Sequence, residues 1–190
     1  MIRVEVWASG GGTNADKIIE HFRLSKTVDV VNIACNRRGV GAFSIAEKHC
    51  ISSTYWSRQS WNPKEILRQL NDRKIDFIVL AGFLKLVPSE VIHHYEGRIV
   101  NLHPSLLPKY GGKNMYGENV HIAVLSNQER RTGITIHEAN EEFDKGKVLA
   151  QFTTSLNPAE ENLQSRSLEE KLAIFNFRAM GLGFLVNDVV

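Results

Sequence analysis

Short apolar segments alternate along this chain with segments of helical character. The densest of them, Phe77-Ile78-Val79-Leu80, is typical of a central parallel strand that is buried on both faces. We predict strands over residues 2–8, 28–35, 51–55, 76–81, 99–102, 133–138 and 148–154. We predict helices over residues 14–24, 42–49, 63–73, 88–94, 117–126 and 158–178. This alternation predicts an α/β, Rossmann-like fold with a single doubly wound, mostly parallel sheet and helices on both faces.

The first predicted strand, residues 2–8, differs from the others in carrying charge. Arg3 and Glu5 interrupt an otherwise apolar segment. A central strand of a parallel sheet is usually apolar on both faces, so this strand is less apolar than its position predicts.

Length and composition limit the kinds of protein this chain can be. Its 190 residues suffice for one sizeable core and are short for two, so we expect a single domain over residues 1–190. A net charge of +2 does not indicate nucleic-acid binding, and no apolar run approaches the length of a membrane span. Cys35 and Cys50 lack metal-ligand spacing, and a strand begins at residue 2 without a leader pattern. We therefore expect reduced thiols, no metal site and a cytoplasmic location.

The run Asn101-Leu102-His103-Pro104 carries the most informative chemistry. It follows an apolar segment, and side chains two apart on a strand point the same way, so Asn101 and His103 converge. Pro104 keeps the His103 backbone extended, and Pro108 stiffens the loop that follows. A preorganised acid/base beside a hydrogen-bond donor suits acyl-type chemistry. Taken alone, however, a His near a strand end is more often a satisfied core or surface residue.

A glycine-rich turn, residues 9–14 (SGGGTN), follows the first strand. Glycines let the backbone approach a ligand, and the start of the next helix presents N–H groups to an anion. We therefore predict phosphate binding by Gly12, Thr13 and Asn14. The alternative is a plain tight turn, which is the less favoured interpretation at the first strand-to-helix turn of an α/β sheet.

The same turn also matches the dinucleotide-binding pattern G-x-G-x-x-A at Gly10, Gly12 and Ala15. The acidic residue expected near the end of the second strand is missing, and residues 36–38 (NRR) stand there, which at best suit a 2′-phosphate. A nonenzymatic or NADP-binding module is therefore a second function class. Binding of NADPH without binding of folate would favour it.

Two further stretches lie where ligands bind in such sheets, beyond the carboxyl ends of strands. Residues 80–87 (LAGFLKLV) could form a slot for a flat ring, or could pack as an ordinary strand end. Residues 140–146 (NEEFDKG) form a polar loop, in which a carboxylate could orient His103 and stabilise its protonated form. For an arbitrary acidic loop, a solvated surface is the commoner outcome.

The order of these stretches, SGGGTN, VLAGFLKLVP, NLHPSLLPKYGG and GITIHEANEEFDKG, resembles that of the folate-dependent formyltransferases. The resemblance runs from residue 2 to residue 156 and implies the formyltransferase fold. It implies catalytic roles for Asn101, His103 and Asp144. The substrate-binding residues that it implies are Gly12, Thr13, Asn14 and Glu170. The folate-binding residues that it implies are Leu84, Lys85, Leu86, Val87, Asn101, Asn140, Glu141, Glu142, Phe143 and Asp144.

The likeness is strongest to the branch of the family that acts on glycinamide ribonucleotide in purine biosynthesis. It implies transfer of a formyl group from 10-formyltetrahydrofolate, a cosubstrate, to the amine of glycinamide ribonucleotide, without a metal. Asn101 and protonated His103 would stabilise the oxyanion of the tetrahedral intermediate. His103, with Asp144, would carry the proton from the amine to the departing folate nitrogen. The expected partners are these two small molecules, and a monomer and a homodimer are both open.

Several positions depart from the family's pattern. In the last predicted helix the family has a Glu that contacts the substrate, where our register places Lys171 and a shift of one residue places Glu170. The family also has a Pro after an aromatic residue, where Asn176 stands. The basic residue that contacts folate corresponds to Lys64 or Arg68.

Other members of this family share the Asn-x-His-Pro-Ser-Leu-Leu-Pro run. Methionyl-tRNA and sugar-nucleotide formyltransferases normally carry a further C-terminal domain, for which 190 residues leave no room. Formyltetrahydrofolate deformylase usually has an extra N-terminal domain, whereas here the first strand begins at residue 2. These activities are kept as alternatives to formylation of glycinamide ribonucleotide.

Overall fold

The computed structural model of the chain describes residues 1–156. Its strands are β1 (Ile2–Ala8), β2 (Val28–Cys35), β3 (Ser52–Tyr55), β4 (Phe77–Leu80), β5 (Ile99–His103), β6 (Arg131–Glu138) and β7 (Val148–Ser155). Its helices are α1 (Thr13–Phe22), α2 (Gly41–Lys48), α3 (Pro63–Asp72), α4 (Ser89–His94) and α5 (Glu118–Ser126). The helix predicted over residues 158–178 lies outside the described residues.

The seven strands form one sheet in the order β3-β2-β1-β4-β5-β6-β7. Pairing is parallel from β3 to β5 and antiparallel between β6 and β7, which confirms the predicted mostly parallel α/β sheet. The strand order reverses between β1 and β4, so right-handed crossovers place α1 and α2 on one face and α3 and α4 on the other. In agreement, α1 contacts α2 and α3 contacts α4. The sheet is therefore doubly wound, as predicted.

The boundaries of β1 and β2 match the prediction, and those of the other described elements differ from it by at most two residues. β5 continues one residue past the predicted range 99–102 and includes His103, so the imidazole belongs to the strand itself. β6 begins at Arg131 rather than at residue 133. Arg131 pairs with Ser155 in the antiparallel ladder, which extends the strand beyond the apolar alternation that the sequence shows.

The chain divides into two compact units. The first comprises Met1–Asn101 and Glu138–Glu141, and the second comprises Leu102–His137 and Glu142–Val190, described up to residue 156. The single domain over residues 1–190 stays a prediction. Among the described residues, no helix combines the length and the apolar character that a membrane span requires.

An aromatic cluster lies in the core of the first unit. The ring of Trp7 is fully buried and lies 5.2 Å from that of Phe83, 5.8 Å from that of Trp61 and 5.9 Å from that of Trp56, measured between centroids. Tilted and edge-on pairs of this kind add about 0.5–1.5 kcal/mol each to the free energy of burial. The cluster continues into the apolar faces of α3 and α4, which fixes both helices on the sheet.

The charge in the first strand has a structural explanation. Glu5 is fully buried, and its carboxylate accepts hydrogen bonds from Trp7 Nε1 at 2.8 Å and Arg73 Nε at 2.9 Å. Burial raises the pKa of Glu5, and the Arg73 guanidinium, together with hydrogen bonds from Trp7 and Asn32, opposes that rise. Arg3 instead lies at the surface, where it pairs with Asp29 at 3.8 Å. The central strand β1 can thus contain a buried carboxylate because Arg73, at the end of α3, forms an ion pair with it.

The second unit has a smaller apolar core between α5 and the β6–β7 hairpin. Its buried members are Val120 and Val124 from α5, Ile134 from β6 and Leu156 after β7. The backbone N–H of Leu156 donates to Arg130 O at 2.9 Å, which closes the end of the hairpin. This core fixes β6, the strand that carries polar side chains toward the candidate site.

Candidate functional site

His103 is the last residue of β5 and is 3% exposed. Its Nδ1 lies 3.3 Å from Asp144 Oδ1, and its Nε2 lies 2.7 Å from the carbonyl oxygen of Tyr110. Both partners are acceptors, so the ring satisfies the two contacts together only when each nitrogen carries a proton. The extended backbone that Pro104 favours at His103 is present.

Asp144 lies between two histidines, His103 and His137, and these three residues form the polar cluster of the candidate site. Its Oδ1 faces two imidazoles, His103 and His137, and its Oδ2 accepts the backbone N–H of Gly112 at 2.8 Å. Its backbone has φ 57°, in the left-handed region that Asp adopts more readily than most residues. Burial acts to raise the pKa of Asp144, but the hydrogen bonds from His103, His137 and Gly112 outweigh it and hold that pKa well below its usual range. Asp144 is therefore an ionised, fixed carboxylate beside the ring of His103.

His137 completes the cluster, and the sequence analysis did not assign it a role. It lies on β6, is 2% exposed, and places Nε2 3.4 Å from Asp144 Oδ1. Thr135 and His137 alternate on this strand, so both point to one face. The signal available in the sequence was the alternation of Thr135 and His137 with the apolar Ile134 and Ile136.

The ionised Asp144 should make the fold sensitive to acid. Because the folded-state pKa of Asp144 is depressed, its contribution to stability is present above the ordinary Asp pKa of 3.8 and is lost as pH falls through the folded-state pKa. The Asp144→Asn variant lacks this contribution at every pH. We expect the variant to be less stable than the wild type at neutral pH, with a difference that shrinks below about pH 4. Urea unfolding followed by circular dichroism over a pH series measures this difference.

Glu142→Gln is the matched control, because Glu142 is an exposed carboxylate only two residues away. We expect its stability to follow that of the wild type at each pH. A pH-dependent loss in Glu142→Gln, with none in Asp144→Asn, would show that the wrong carboxylate had been assigned.

Asn101 precedes His103 by two positions on β5 and is the last residue of the first unit. It is partly buried and pairs in register with Leu80 of β4. Strand alternation directs the Asn101 and His103 side chains to the same face of β5. The convergence of the Asn101 amide and the His103 imidazole on one point stays a prediction.

The glycine-rich turn belongs to the first unit and leads into α1. Gly12 is buried and caps the helix with φ 79°, a left-handed conformation. A Cβ at this position would lie 2.7 Å from Ala42 Cα, so any side chain here disturbs the contact of α1 with α2. Thr13, exposed, and Asn14, partly buried, form the first turn of α1, where the predicted phosphate site requires them. The phosphate site stays a prediction. A substitution at Gly12 would not test it, because the new side chain would disturb the fold as well as any bound ligand.

Ser9, which the sequence analysis did not single out, joins the ends of three strands. Its backbone N–H donates to Gly82 O at 3.1 Å, and its hydroxyl donates to Asn36 Oδ1 at 2.6 Å. The same hydroxyl accepts the backbone N–H of Leu84 at 2.8 Å. These bonds hold the turns after β1, β2 and β4 together at the point where the strand order reverses, which is where open α/β sheets bind ligands.

The predicted folate segment after β4 also lies in the first unit. Leu84 and Lys85 are partly buried and Leu86 is exposed, whereas Val87 is 4% exposed and packs into the core. The Val87 side chain is therefore part of the core of the first unit, and its predicted contact with folate stays a prediction. The Lys85 ammonium lies 4.2 Å from the centroid of the Trp61 ring, and burial lowers the pKa of Lys85.

The predicted folate residues before Asp144 are divided between the units. Asn140 and Glu141 belong to the first, and Glu142 and Phe143 to the second. Glu141 is exposed and pairs with His93, also exposed, at 3.2 Å. Glu142 and Phe143 are exposed as well, so Asp144 is distinguished from its acidic neighbours by burial.

The basic residue predicted to contact folate, Lys64 or Arg68, lies on α3 in either case. Lys64 is exposed on α3, and Arg68 pairs on the same helix with Glu65 at 2.7 Å and Asp72 at 2.6 Å. The positions left open in the last predicted helix, Glu170, Lys171 and Asn176, lie outside the described residues.

Comparison with known proteins gives concordant matches. Residues 2–180 match the model of the family described as formyl transferase. The chloroplastic phosphoribosylglycinamide formyltransferase of Arabidopsis thaliana is 37% identical over 182 residues, covering 91% of this chain and 62% of that protein. The corresponding protein of Vigna unguiculata is 35% identical over 181 residues, covering 91% and 58%. This chain thus spans about three fifths of the length of these plant relatives.

A solved structure matches over more of its length. The crystal structure of phosphoribosylglycinamide formyltransferase from Bacillus halodurans superposes with a TM-score of 0.81 at 31% sequence identity. The match covers 94% of this chain and 91% of that one. The fold described above is therefore similar to the fold of that protein.

Proposed function

Because this chain belongs to the formyl transferase family, we propose that it transfers the formyl group of 10-formyltetrahydrofolate to the amine of glycinamide ribonucleotide. The names of the Arabidopsis thaliana and Bacillus halodurans relatives support this choice of acceptor. The observation that carries the proposal is the buried His103, whose ring is held between the Asp144 carboxylate and the Tyr110 carbonyl oxygen. Such a ring can deliver and accept protons at one fixed place.

The transfer forms one C–N bond and breaks another. The amine nitrogen of the acceptor attacks the formyl carbon, and the formyl oxygen takes up negative charge. Collapse of this tetrahedral intermediate breaks the bond from the carbon to the folate nitrogen. One proton leaves the attacking nitrogen and one reaches the departing nitrogen, so no proton is consumed. No step of this transfer calls for a metal ion.

Asn101, His103 and Asp144 carry the groups that these charge movements require. The Asn101 amide and protonated His103 can donate hydrogen bonds to the oxyanion. His103 can then pass a proton to the departing nitrogen, while Asp144 stabilises the charged ring and fixes its orientation. In the described geometry Nε2 is bonded to Tyr110 O, so the reacting group must replace that carbonyl as the partner of Nε2. Hydrogen bonds at catalytic residues commonly rearrange in this way when substrate binds.

The binding residues follow from the same proposal. Gly12, Thr13 and Asn14 would hold the phosphate of the ribonucleotide through the start of α1. The segment at 84–87 and the polar loop at 140–144 would contact the folate. Glu170 is proposed as a further substrate contact on the strength of the resemblance alone.

An acceptor comparison tests the proposed function. The purified chain is supplied with 10-formyltetrahydrofolate and with glycinamide ribonucleotide, methionyl-tRNA or a UDP-amino sugar, and release of tetrahydrofolate is followed by absorbance. We expect release with glycinamide ribonucleotide only. Release with another acceptor, or without any, would replace the proposed function by a different formyl transfer or by hydrolysis. Binding of NADPH without binding of folate would instead favour a nucleotide-binding module.

A further inference from the structure

A buried hydroxyl in the second unit has all of its hydrogen bonds satisfied. Thr135 lies on β6 and is fully buried. Its Oγ1 donates to Ser105 O at 2.7 Å and accepts from Leu107 N at 3.0 Å and Gln151 Nε2 at 2.9 Å. A hydroxyl has one proton and two lone pairs, so these three bonds use its full capacity. The backbone at 105–107 is therefore fixed to β6 at two points.

Gln151 contributes the third of these bonds from β7. It lies directly opposite Thr135 in the antiparallel ladder, which places the two side chains on the same face. Its Nε2 also donates to Leu107 O at 2.9 Å, so one amide group bonds both the hydroxyl and the loop. Gln151 is exposed, yet its Nε2 donates to two oxygens of buried residues. Through these two bonds an exposed side chain connects β7 to the loop at Leu107 and to Thr135 of β6.

The loop held by these bonds supplies the partner of His103. Ser105 Oγ donates to Lys109 O at 2.7 Å, which closes the loop on itself. The next carbonyl oxygen, that of Tyr110, is the one that faces His103 Nε2. Movement of residues 105–107 would therefore be transmitted to the position of the Tyr110 carbonyl.

The same loop also supplies the partner of Asp144. Leu107 packs so closely on Gly111 that a Cβ at Gly111 would lie 2.5 Å from Leu107 Cδ2 and 3.2 Å from Asp144 Cβ. The following residue, Gly112, donates its N–H to Asp144 Oδ2. The Leu107 position thus sets where that N–H lies.

We propose that Gln151 is a positioning residue for the His103–Asp144 pair, acting through the Leu107 carbonyl and the Thr135 hydroxyl. The hydrogen bonds described for Gln151 go to Leu107 and Thr135 and not to His103 or Asp144. Gln151 fixes the backbone from which the Tyr110 carbonyl and the Gly112 N–H reach them. The kinetic part of this inference rests on the proposed formyl transfer, whereas the geometric part does not.

Two substitutions of Gln151 and one control test the proposal by kinetics. Gln151→Ala removes both donors, and we expect kcat to fall about tenfold or more with KM little changed, because a shift well under 1 Å at a reacting group has effects of this order. In Gln151→Glu a carboxylate faces the Leu107 carbonyl, and protonation restores one donor. Its kcat should therefore approach that of the wild type as pH is lowered. Thr153→Ala, a change at an exposed residue on the same face of β7, should leave kcat and the melting temperature unchanged.

A second measurement separates this inference from the proposed function. The ring nitrogens of His103 are observed by ¹⁵N NMR in the wild type, Gln151→Ala and Thr153→Ala, without substrate. We expect the His103 signals to shift in Gln151→Ala and to stay in place in Thr153→Ala. Shifted signals in a protein whose wild type transfers no formyl group would reject the proposed function and keep the positioning role. Unchanged His103 signals in Gln151→Ala would overturn the positioning role. A fall in kcat that is accompanied by a large rise in KM and a large fall in melting temperature would also overturn it, because it would indicate a general loss of structure.

Discussion

Replacing His103 with alanine is expected to lower the turnover of formyl transfer by roughly 10²–10⁴-fold, the usual contribution of a general acid or base. The ring is buried, and both of its nitrogens have an oxygen partner, so its loss removes a proton carrier that is held in one orientation. The fold should persist, because Asp144 keeps its bonds to His137 and to the Gly112 N–H. Steady-state kinetics with glycinamide ribonucleotide, together with circular dichroism of the same sample, measures both quantities.

His94→Ala is the matched control for this change. His94 is exposed on α4 in the first unit, and its ring centroid lies 5.2 Å from that of Tyr95. We expect its turnover to equal that of the wild type. Turnover near the wild-type value in a folded His103→Ala protein would remove His103 from the mechanism.

Replacing Arg73 with methionine is expected to lower the free energy of unfolding by about 3–5 kcal/mol, the range seen when one partner of a buried ion pair is removed. Glu5 is fully buried, and Arg73 Nε at 2.9 Å is its cationic partner, with the Arg73 side chain itself 23% exposed. Without the guanidinium, the buried Glu5 must either stay charged without a cationic partner or take up a proton. The proton is taken up more readily as pH falls, so the loss of stability should shrink toward acid. Urea unfolding at several pH values measures this loss.

Arg68→Met makes the same chemical change at the surface of the same helix. Arg68 is 60% exposed and pairs with Glu65 and Asp72, which also face water. Exposed pairs of this kind contribute little, so we expect stability close to that of the wild type at every pH. Equal losses in Arg68→Met and Arg73→Met would show that burial of Glu5 has no special cost here.

The order of the elements could be predicted from the sequence because it depends on local patterns. The apolar run Phe77–Leu80 is β4, as its density of large apolar residues predicts. The β1 turn with its glycines leads into α1, and Pro104 follows an extended His103, as their backbone preferences require. Boundaries moved where a ladder partner, rather than a residue's own preference, extends a strand, as at Arg131.

The contacts between distant residues could not be predicted in this way. Glu5 and Arg73 are 68 residues apart, and nothing local indicates that α3 ends beside β1. The acidic loop at 140–146 does not itself distinguish Asp144 from Glu142, and only the resemblance to formyltransferases did so. The structure places Asp144 beside His103 and adds His137, which neither spacing nor the resemblance had identified. Side-chain clusters of this kind are decided by tertiary packing.

The fate of the transferred carbon tests the central claim most directly. The wild-type chain is incubated with glycinamide ribonucleotide and 10-formyltetrahydrofolate that carries ¹³C in the formyl group, and the label is followed by NMR. We predict that the ¹³C signal moves from the folate nitrogen to an amide on glycinamide ribonucleotide, and that it does so at a greatly reduced rate with His103→Ala. Label that appears as free formate, or that stays on the folate in the presence of the wild-type chain, would contradict the account.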